Sequence, residues 1–320
     1  MLRVVLFLSL VTTIVVAVWA PIGPDGGNVA ALAVSPSQPA TLVSVLFSGD
    51  TVQPVYRTTD AGAGWERTGV VPRMTAVVID PFDPLIVYAT DGGGTIRRST
   101  DGGATWQSAF VSFGGMAFGC DPFVPGRVYT AGGIYDTIAI PMFGVSTDHG
   151  ATWDSWPVAN DTGYIYALDA SPADSGVIWL GGDYGMTYRS TDGGATWESR
   201  SNGLTPDNYV LALSASHDDT AVVCAGTMYG VFRTTDAGGS WTQASGPQYV
   251  TSVDLSPADP ANGYAYGYDS APACYFTTDA GASWQPTSPI MPSASSGGII
   301  ADPALGDGAW CPTAAPSGAP

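Results

Sequence analysis

Aspartate and tyrosine carry most of the chemistry this sequence can offer. It holds 28 acidic groups against ten basic ones, and every basic group is an arginine. Five carboxylates stand where an apolar, strand-like run gives way to a loop: Asp50, Asp91, Asp136, Asp183 and Asp269. Tyr135, Tyr184, Tyr229 and Tyr268 sit beside them. A second set of loops adds Asp25, Arg73, Asp161, Asp207, Tyr209 and Tyr249. Carboxylates and phenols brought together on one face could hold a sugar, a cationic peptide or Ca²⁺, which prefers oxygen ligands. Against this stands the ordinary use of Asp after a strand as a turn former, repeated because the sequence itself repeats.

Other chemistries find less support. Glycoside hydrolysis needs two carboxyl groups facing one bond, and no pair is marked among the many aspartates. The only glutamates, Glu66 and Glu198, each follow a tryptophan at the same repeat position as Gln107, Asp154, Thr242 and Gln285. That position reads as a solvated strand face. His149 and His217 fall in repeated turns, which argues against a nucleophilic triad or a zinc site. The glycines of Asp91-Gly-Gly-Gly94 join two strands rather than opening a helix, so they cradle no phosphate. A formal charge of −18 repels nucleic acid. Cys120, Cys224, Cys274 and Cys311 show no metal-ligand spacing. Cys274 could pair with Cys311, or all four could be single buried thiols.

The elements that must position these residues follow from an internal repeat. The octad Ser99-Thr-Asp-Gly-Gly-Ala-Thr-Trp106 recurs letter for letter at 190–197, with looser copies at 58–65, 146–153, 234–241 and 277–284. Its aspartates are Asp60, Asp101, Asp148, Asp192, Asp236 and Asp279; its tryptophans are Trp65, Trp106, Trp153, Trp197, Trp241 and Trp284. A period of 41 to 47 residues suits one four-stranded propeller blade per repeat. The Asp and the hydroxyl two residues before it can accept turn N–H groups, the following glycine permits positive φ, and the Trp can plug the gap between blades. These residues are expected to be structural, as are Arg57, Arg98, Arg189 and Arg233, which keep the same beat.

With this octad the chain resembles the Asp-box, or BNR, repeat family, which includes sialidases, sortilin-type receptors, xyloglucan-degrading glycosidases and photosystem II assembly factors. The resemblance implies an all-β, single-propeller fold of four-stranded blades. It does not by itself choose a function. The sialidase pattern of clustered arginines with a Tyr–Glu pair is missing. The xyloglucan-degrading relatives use two propellers where this chain has one. The assembly factors use a basic patch that ten arginines scarcely supply.

A second repeated element, an apolar strand ending in Ser/Asp-Pro, gives seven blade openings against six octads: Ser35, Asp80, Asp121, Ser171, Ser216 (followed by His217), Ser256 and Asp302. Each blade reads as strand A, Pro turn, strand B, loop, strand C, Asp box, strand D. Seven blades are expected, the last incomplete and closed by an N-terminal strand D around Trp19; six is the alternative. The B–C and D–A loops then share the face on which a ligand is expected.

Residues 1–17 read as a signal peptide, with cleavage after Ala17 and a propeller over 18–312, leaving a flexible tail at 313–320. An uncleaved anchor is the rival reading of the apolar run Val4–Val18. The expectation is a secreted or periplasmic, monomeric, non-enzymatic propeller that binds a protein or carbohydrate. No cofactor is required beyond conceivable Ca²⁺, and no membrane span remains once the leader is removed. The alternative is a glycoside hydrolase using loop aspartates.

Overall fold

The computed structural model describes residues 2–6, 17–21, 28–47, 50–91, 93–110, 113–135, 139–269, 272–287, 299–302 and 308–311. Among these residues the chain is all-β, with one 3-10 turn at Asp183–Gly185. Six consecutive stretches (28–72, 76–110, 114–157, 165–199, 210–243 and 249–286) each wind into a four-stranded antiparallel sheet, in which strands adjacent in sequence are adjacent in space. These are six propeller blades, the smaller of the two expected counts.

A seventh four-stranded sheet joins the chain ends. Ile300–Ala301 pairs with Gly308–Cys311, which pairs with Leu2–Leu6, which pairs with Ala17–Pro21. This revises the expected closure. The N-terminal segment does contribute the outermost strand, but a second N-terminal strand fills the C position and completes the sheet. Closing the ring this way removes two open sheet edges. Its inner strand is tied to both neighbours. Ser252 Oγ accepts a hydrogen bond from Ile299 N (3.0 Å), and Asp254 Oδ2 accepts one from Ala301 N (2.7 Å). On the other side Ile300 packs against the apolar cluster of Val29, Leu32, Leu42 and Leu46 in blade one.

The Asp boxes explain why the C–D turns repeat so faithfully. In all six, the Ser/Thr hydroxyl accepts an N–H from the glycine four residues on, at 2.8–3.1 Å, and donates to the Asp at 2.6–2.8 Å. In five, the other carboxylate oxygen accepts the hydroxyl of a Thr or Ser four residues further on; blade one has Gly64 there. These bonds favour the ionised carboxylate. Asp148 is held down at about 2 chiefly by the Thr152 hydroxyl, and Asp236 at about 2 chiefly by the Ser240 N–H.

Each box also docks on the A–B turn of its own blade through one backbone bond of 2.7–3.1 Å, as from His149 N to Gly126 O and Ala280 N to Ala261 O. The Pro turns and Asp boxes therefore share one end of the propeller, and the D–A and B–C loops share the other. Between blades, the box glycine lies against a large side chain of the preceding blade. Gly194 meets Phe143, and Gly238 meets Trp179. The box tryptophans fill the same seams, with Trp241 edge-on to Trp179 at 6.1 Å and Trp197 edge-on to Phe143 at 5.0 Å. Arg233 Nε reaches Ala280 O of the next box at 2.7 Å, so at least this arginine of the repeated set belongs to the scaffold.

Cys224 is buried beside the next Asp box, and burial pushes its thiol up to about 12, which makes it unreactive. Cys274 is buried too. The side chain of Cys311, and with it the considered Cys274–Cys311 bridge, lies outside the described residues.

Candidate ligand-binding site

The D–A/B–C end of blades four, five and six carries a run of tyrosines. Tyr164, Tyr209 and Tyr249 occupy equivalent places at the start of the inner strands, the first two immediately before the strand and Tyr249 as its first residue. They are half-buried, and the loops that follow the B strands lay further aromatic rings beside them. Tyr184 of blade four approaches Tyr209 of blade five, with ring centroids 6.1 Å apart. Tyr268 of blade six sits 5.6 Å from Tyr249 and 5.8 Å from Tyr266. Tyr184 is 54% exposed, Tyr229 53% and Tyr268 37%, with the similarly exposed Met228 next to Tyr229. Tyr184 holds this place at a backbone cost. Its φ of 57° is left-handed, a conformation that bulky side chains avoid.

The expected carboxylates divide in two. Asp183 is buried beneath the tyrosines, where Oδ2 accepts the N–H of Tyr164 at 2.9 Å. Burial and the neighbouring Asp183 hold the Tyr166 phenol well above its usual range. Asp161 accepts the hydroxyl of Tyr188. Asp91 is turned back on its own loop, accepting N–H groups from Gly93 (2.8 Å) and Thr95 (3.1 Å), which is the turn-forming role. Asp50 and Asp269 are exposed. Asp136, Asp25 and the side chain of Tyr135 lie outside the described residues. On blade one, Arg73 lies over the exposed ring of Phe47 at 5.8 Å. The structure thus pairs Tyr184 with Tyr209 and Tyr249 with Tyr268 at the same end of three neighbouring blades, with Asp183 buried under Tyr164. It leaves Asp91 as scaffold. Among the described residues no three carboxylate, histidine or cysteine side chains converge as a metal site would require.

At the opposite end is a feature that the loop reading passed over. A cavity of about 540 Å³ lies on the propeller axis, walled by inner-strand residues of all seven sheets, from Val34 of blade one to Ile300 of the closing sheet. Its rim is prolines from the A–B turns, with the exposed Phe82 at one side. One wall is polar. Asp169, Ser214 and Asp254 occupy the same inner-strand position in blades four, five and six, two residues before the Ser that opens the turn. Each reaches the next sheet's backbone. Asp169 Oδ2 accepts from Ala215 N (2.5 Å), Ser214 Oγ from Leu255 N (2.9 Å), and Asp254 Oδ2 from Ala301 N (2.7 Å). In blades one to three this position is Ala33, Val78 and Gly119, so half the ring is stitched and half is apolar. Burial pushes both carboxyls up to about 7, and the Asp254 charge adds to the shift of Asp169. His217, on the same cavity, is driven down to about 4 by burial and is neutral. The signal was an Asp at an alternating position inside an apolar strand, in Leu168-Asp-Ala-Ser-Pro172 and Val253-Asp-Leu-Ser-Pro257.

Hydrogen-bonded Asp boxes recur on six four-stranded blades, and a model of the BNR/Asp-box repeat matches one of them, at residues 188–205. The chain is a β-propeller of BNR/Asp-box repeats. No curated protein matches it in sequence. Among solved structures, this propeller is similar to the GH74 xyloglucanase from Xanthomonas campestris, at 17% identity and a TM-score of 0.66, over 90% of this chain and 51% of that one. It is similar to the GH74 enzyme from Niastella koreensis at 15% identity and 0.61, over 88% and 63%. It is also similar to YCF48 from Cyanidioschyzon merolae at 15% identity and 0.57, over 83% and 87%, and to a YCF48 bound to D1 peptide at 14% and 0.55, over 78% of each chain. The BNR propeller spans only about half to two-thirds of the two glycosidases. At these identities the likeness is one of fold.

Proposed function

We propose that this propeller is an exported, non-enzymatic binding module, and that its D–A/B–C end takes an extended peptide or glycan of a partner. The observation that carries this reading is the tyrosine run. Tyr184, Tyr229 and Tyr268 are exposed on three adjacent blades, and Tyr209 and Tyr249 stand behind two of them. Tyrosine offers a flat apolar face and a hydroxyl at little entropic cost, which suits sugar rings and peptide side chains alike. The left-handed Tyr184 strengthens the reading, because strain of this kind persists where a side chain must be presented. A YCF48 propeller bound to a peptide gives a precedent for the fold in this role.

The competing reading is a glycoside hydrolase working through loop aspartates, for which the GH74 likeness is the argument. The geometry favours it less. Asp91 is spent on its own turn, and Asp183 is buried with one oxygen on a backbone N–H. The deciding experiment screens the purified chain on peptide and glycan arrays beside assays for glucanase and sialidase turnover. Binding that Tyr184→Ala and Tyr229→Ala each weaken at least tenfold, without turnover, is the expected result. Turnover abolished by Asp183→Asn or Asp269→Asn would overturn it. The leader is tested separately by sequencing the N-terminus of the exported chain: a start at Val18 supports cleavage, and a start at Met1 keeps the strand Leu2–Leu6 in the closing sheet.

A further inference from the structure

We propose that the axial cavity at the Pro-turn end is a second binding site, for a small alkylammonium ion. It lies on the face opposite the tyrosines and stands or falls independently of them.

The argument begins with shape. A cavity of about 540 Å³ is in the range that holds small organic ligands, and it is walled by inner strands and open to solvent at the Pro-turn rim. Most of its wall is hydrocarbon: Val34, Val78, Ile79 and Ile300 on one side, the turn prolines at the rim. An alkyl chain is matched by that surface, whereas a sugar would leave its hydroxyls unpaired against it.

Charge narrows the choice. The charged chemistry on the wall is that of two carboxyl groups, Asp169 and Asp254, and the charge of Asp254 is felt at Asp169. Cys120 and His217 also face the cavity; the thiol is pushed well up by burial and the imidazole is pushed down to about 4, so both are neutral at pH 7. Among the described residues no arginine lines the cavity. An anion would therefore meet only repulsion.

Hydrogen-bond capacity places the head group. Asp254 has both oxygens engaged, by Ala301 N and the Ser214 hydroxyl. Asp169 uses only Oδ2, on Ala215 N. Among the described residues nothing donates to its Oδ1, and that atom belongs to a residue on the cavity wall. An ammonium group brings three donors and a full positive charge. One donor satisfies Asp169 Oδ1, and the charge relieves the repulsion between the two carboxyls. An alcohol offers one donor and no charge, so it gains only the first of these.

Binding should therefore be tied to ionisation of the pair. Below pH 7 a cation must displace protons from Asp169 and Asp254, and its affinity falls by about tenfold per pH unit for each proton displaced. Alkylammonium ions stay charged throughout this range, so the slope reports on the carboxyls.

The test is isothermal titration of the full chain with n-butylammonium chloride, with n-butanol and sodium butyrate as controls. N-acetyl-lysine amide is a further arm, presenting the same group as a peptide would. Saturable binding of either ammonium is expected, at least tenfold tighter at pH 8 than at pH 6, with neither control competing. The arm that binds tighter identifies free amine or lysine side chain as the source. Asp169→Asn, which keeps the acceptor for Ala215 N, is expected to weaken binding at least tenfold and to flatten the pH dependence. Should that variant misfold, Ala170→Leu narrows the same wall without touching a carboxyl and should also abolish binding. Absence of saturable binding at both pH values, equal binding of butanol, or affinity unchanged between pH 6 and 8 would each overturn the proposal.

Discussion

Asp169 and Asp254 are the residues at which the fold and its electrostatics disagree most. Each is held by a backbone N–H of the next sheet, yet each is buried enough to sit near 7 rather than near its ordinary 3.9. A raised folded-state value means that the folded protein binds the proton more tightly than the unfolded chain. The stability this contributes is complete below about pH 4 and is lost as pH rises through 7. His217 acts in the opposite sense: its value is lowered to about 4, so stability is lost as pH falls from about 6.5 toward 4. Two carboxyls outweigh one imidazole. The midpoint of thermal unfolding is expected to rise as the buffer is taken from pH 8 to pH 5. In the Asp169→Asn, Asp254→Asn double variant that rise should be largely gone, and at pH 8 the variant should melt above the parent. A scanning-calorimetry series over pH settles the point, and a parent curve that falls between pH 8 and 5 contradicts it. Below about pH 4 the Asp boxes take over. Asp148 and Asp236, held near 2, contribute stability that is lost as the carboxylates are protonated.

A related cost recurs in the boxes themselves. The residue after the box Asp is left-handed throughout: Gly102 and Gly193 in two copies, but Ala61, His149, Ala237 and Ala280 in the other four. A Cβ in this region costs about 1–2 kcal/mol. Ala280→Gly is therefore expected to raise stability by roughly 0.5–1 kcal/mol after the extra entropy of the unfolded glycine is set against it. Urea unfolding at neutral pH measures this, and a lowered midpoint would show that the alanine methyl makes contacts worth more than its strain.

At the scale of the element, the Asp box is where sequence and structure correspond most closely. Its hydroxyl, carboxylate, glycine and tryptophan each have a local task, and the octad spells these out in order. Blade, box and Pro turn were legible for that reason, as was the grouping of loops at two ends. The exposed position of Glu66 and Glu198 was legible as well. The polar wall of the cavity was not, because Asp169, Ser214 and Asp254 look unremarkable until seven inner strands are brought round an axis. Nor did the sequence tell turn-forming Asp91 from buried Asp183, since both follow a B strand and only the surrounding loops separate their fates. The one defective box offers a check on this account. Gly64 stands where the others have Thr or Ser, so Asp60 Oδ2 lacks the hydroxyl donor that the other five carboxylates receive. Gly64→Thr should supply it and stabilise the protein by about 1 kcal/mol, combining the new hydrogen bond with a less flexible unfolded chain. A Gly281→Ala change should do the reverse. Its φ of 84° is left-handed, and the added methyl would strike Cys224 Sγ across the blade seam, so a loss above about 2 kcal/mol is expected in the same denaturation assay.

For the whole molecule, the closing sheet decides whether six repeats behave as one unit. Repeat arrays contact only their neighbours, and their stability is a sum of repeats and seams. Ring closure adds the seam between blades six and one, and here that seam is the strand Ile300–Ala301 with its flanking bonds to Ser252 and Asp254 and its packing on the apolar cluster of blade one. The sequence foretold a seventh opening and an outer strand at Trp19. It did not foretell Leu2–Leu6 beside Gly308–Cys311, because a short basic start before an apolar run reads as a leader. The same residues cannot both be cleaved and pair. The two roles differ in what they leave behind. Without residues 1–17 the sheet loses its two outer positions but keeps the inner strand that makes the cross-blade bonds. Without residues 299–320 the inner strand itself is gone, and the inner edges of blades one and six face water. The first truncation is expected to lower the unfolding midpoint by only a few degrees and to keep one cooperative transition. The second is expected to lower it by more than about 10 °C and to broaden it, as end blades fray ahead of the rest. Calorimetry of the two truncated chains beside the parent makes the comparison. If the first loses as much as the second, the outer N-terminal strands, rather than the bonds of Ile299 and Ala301, are what closes the ring.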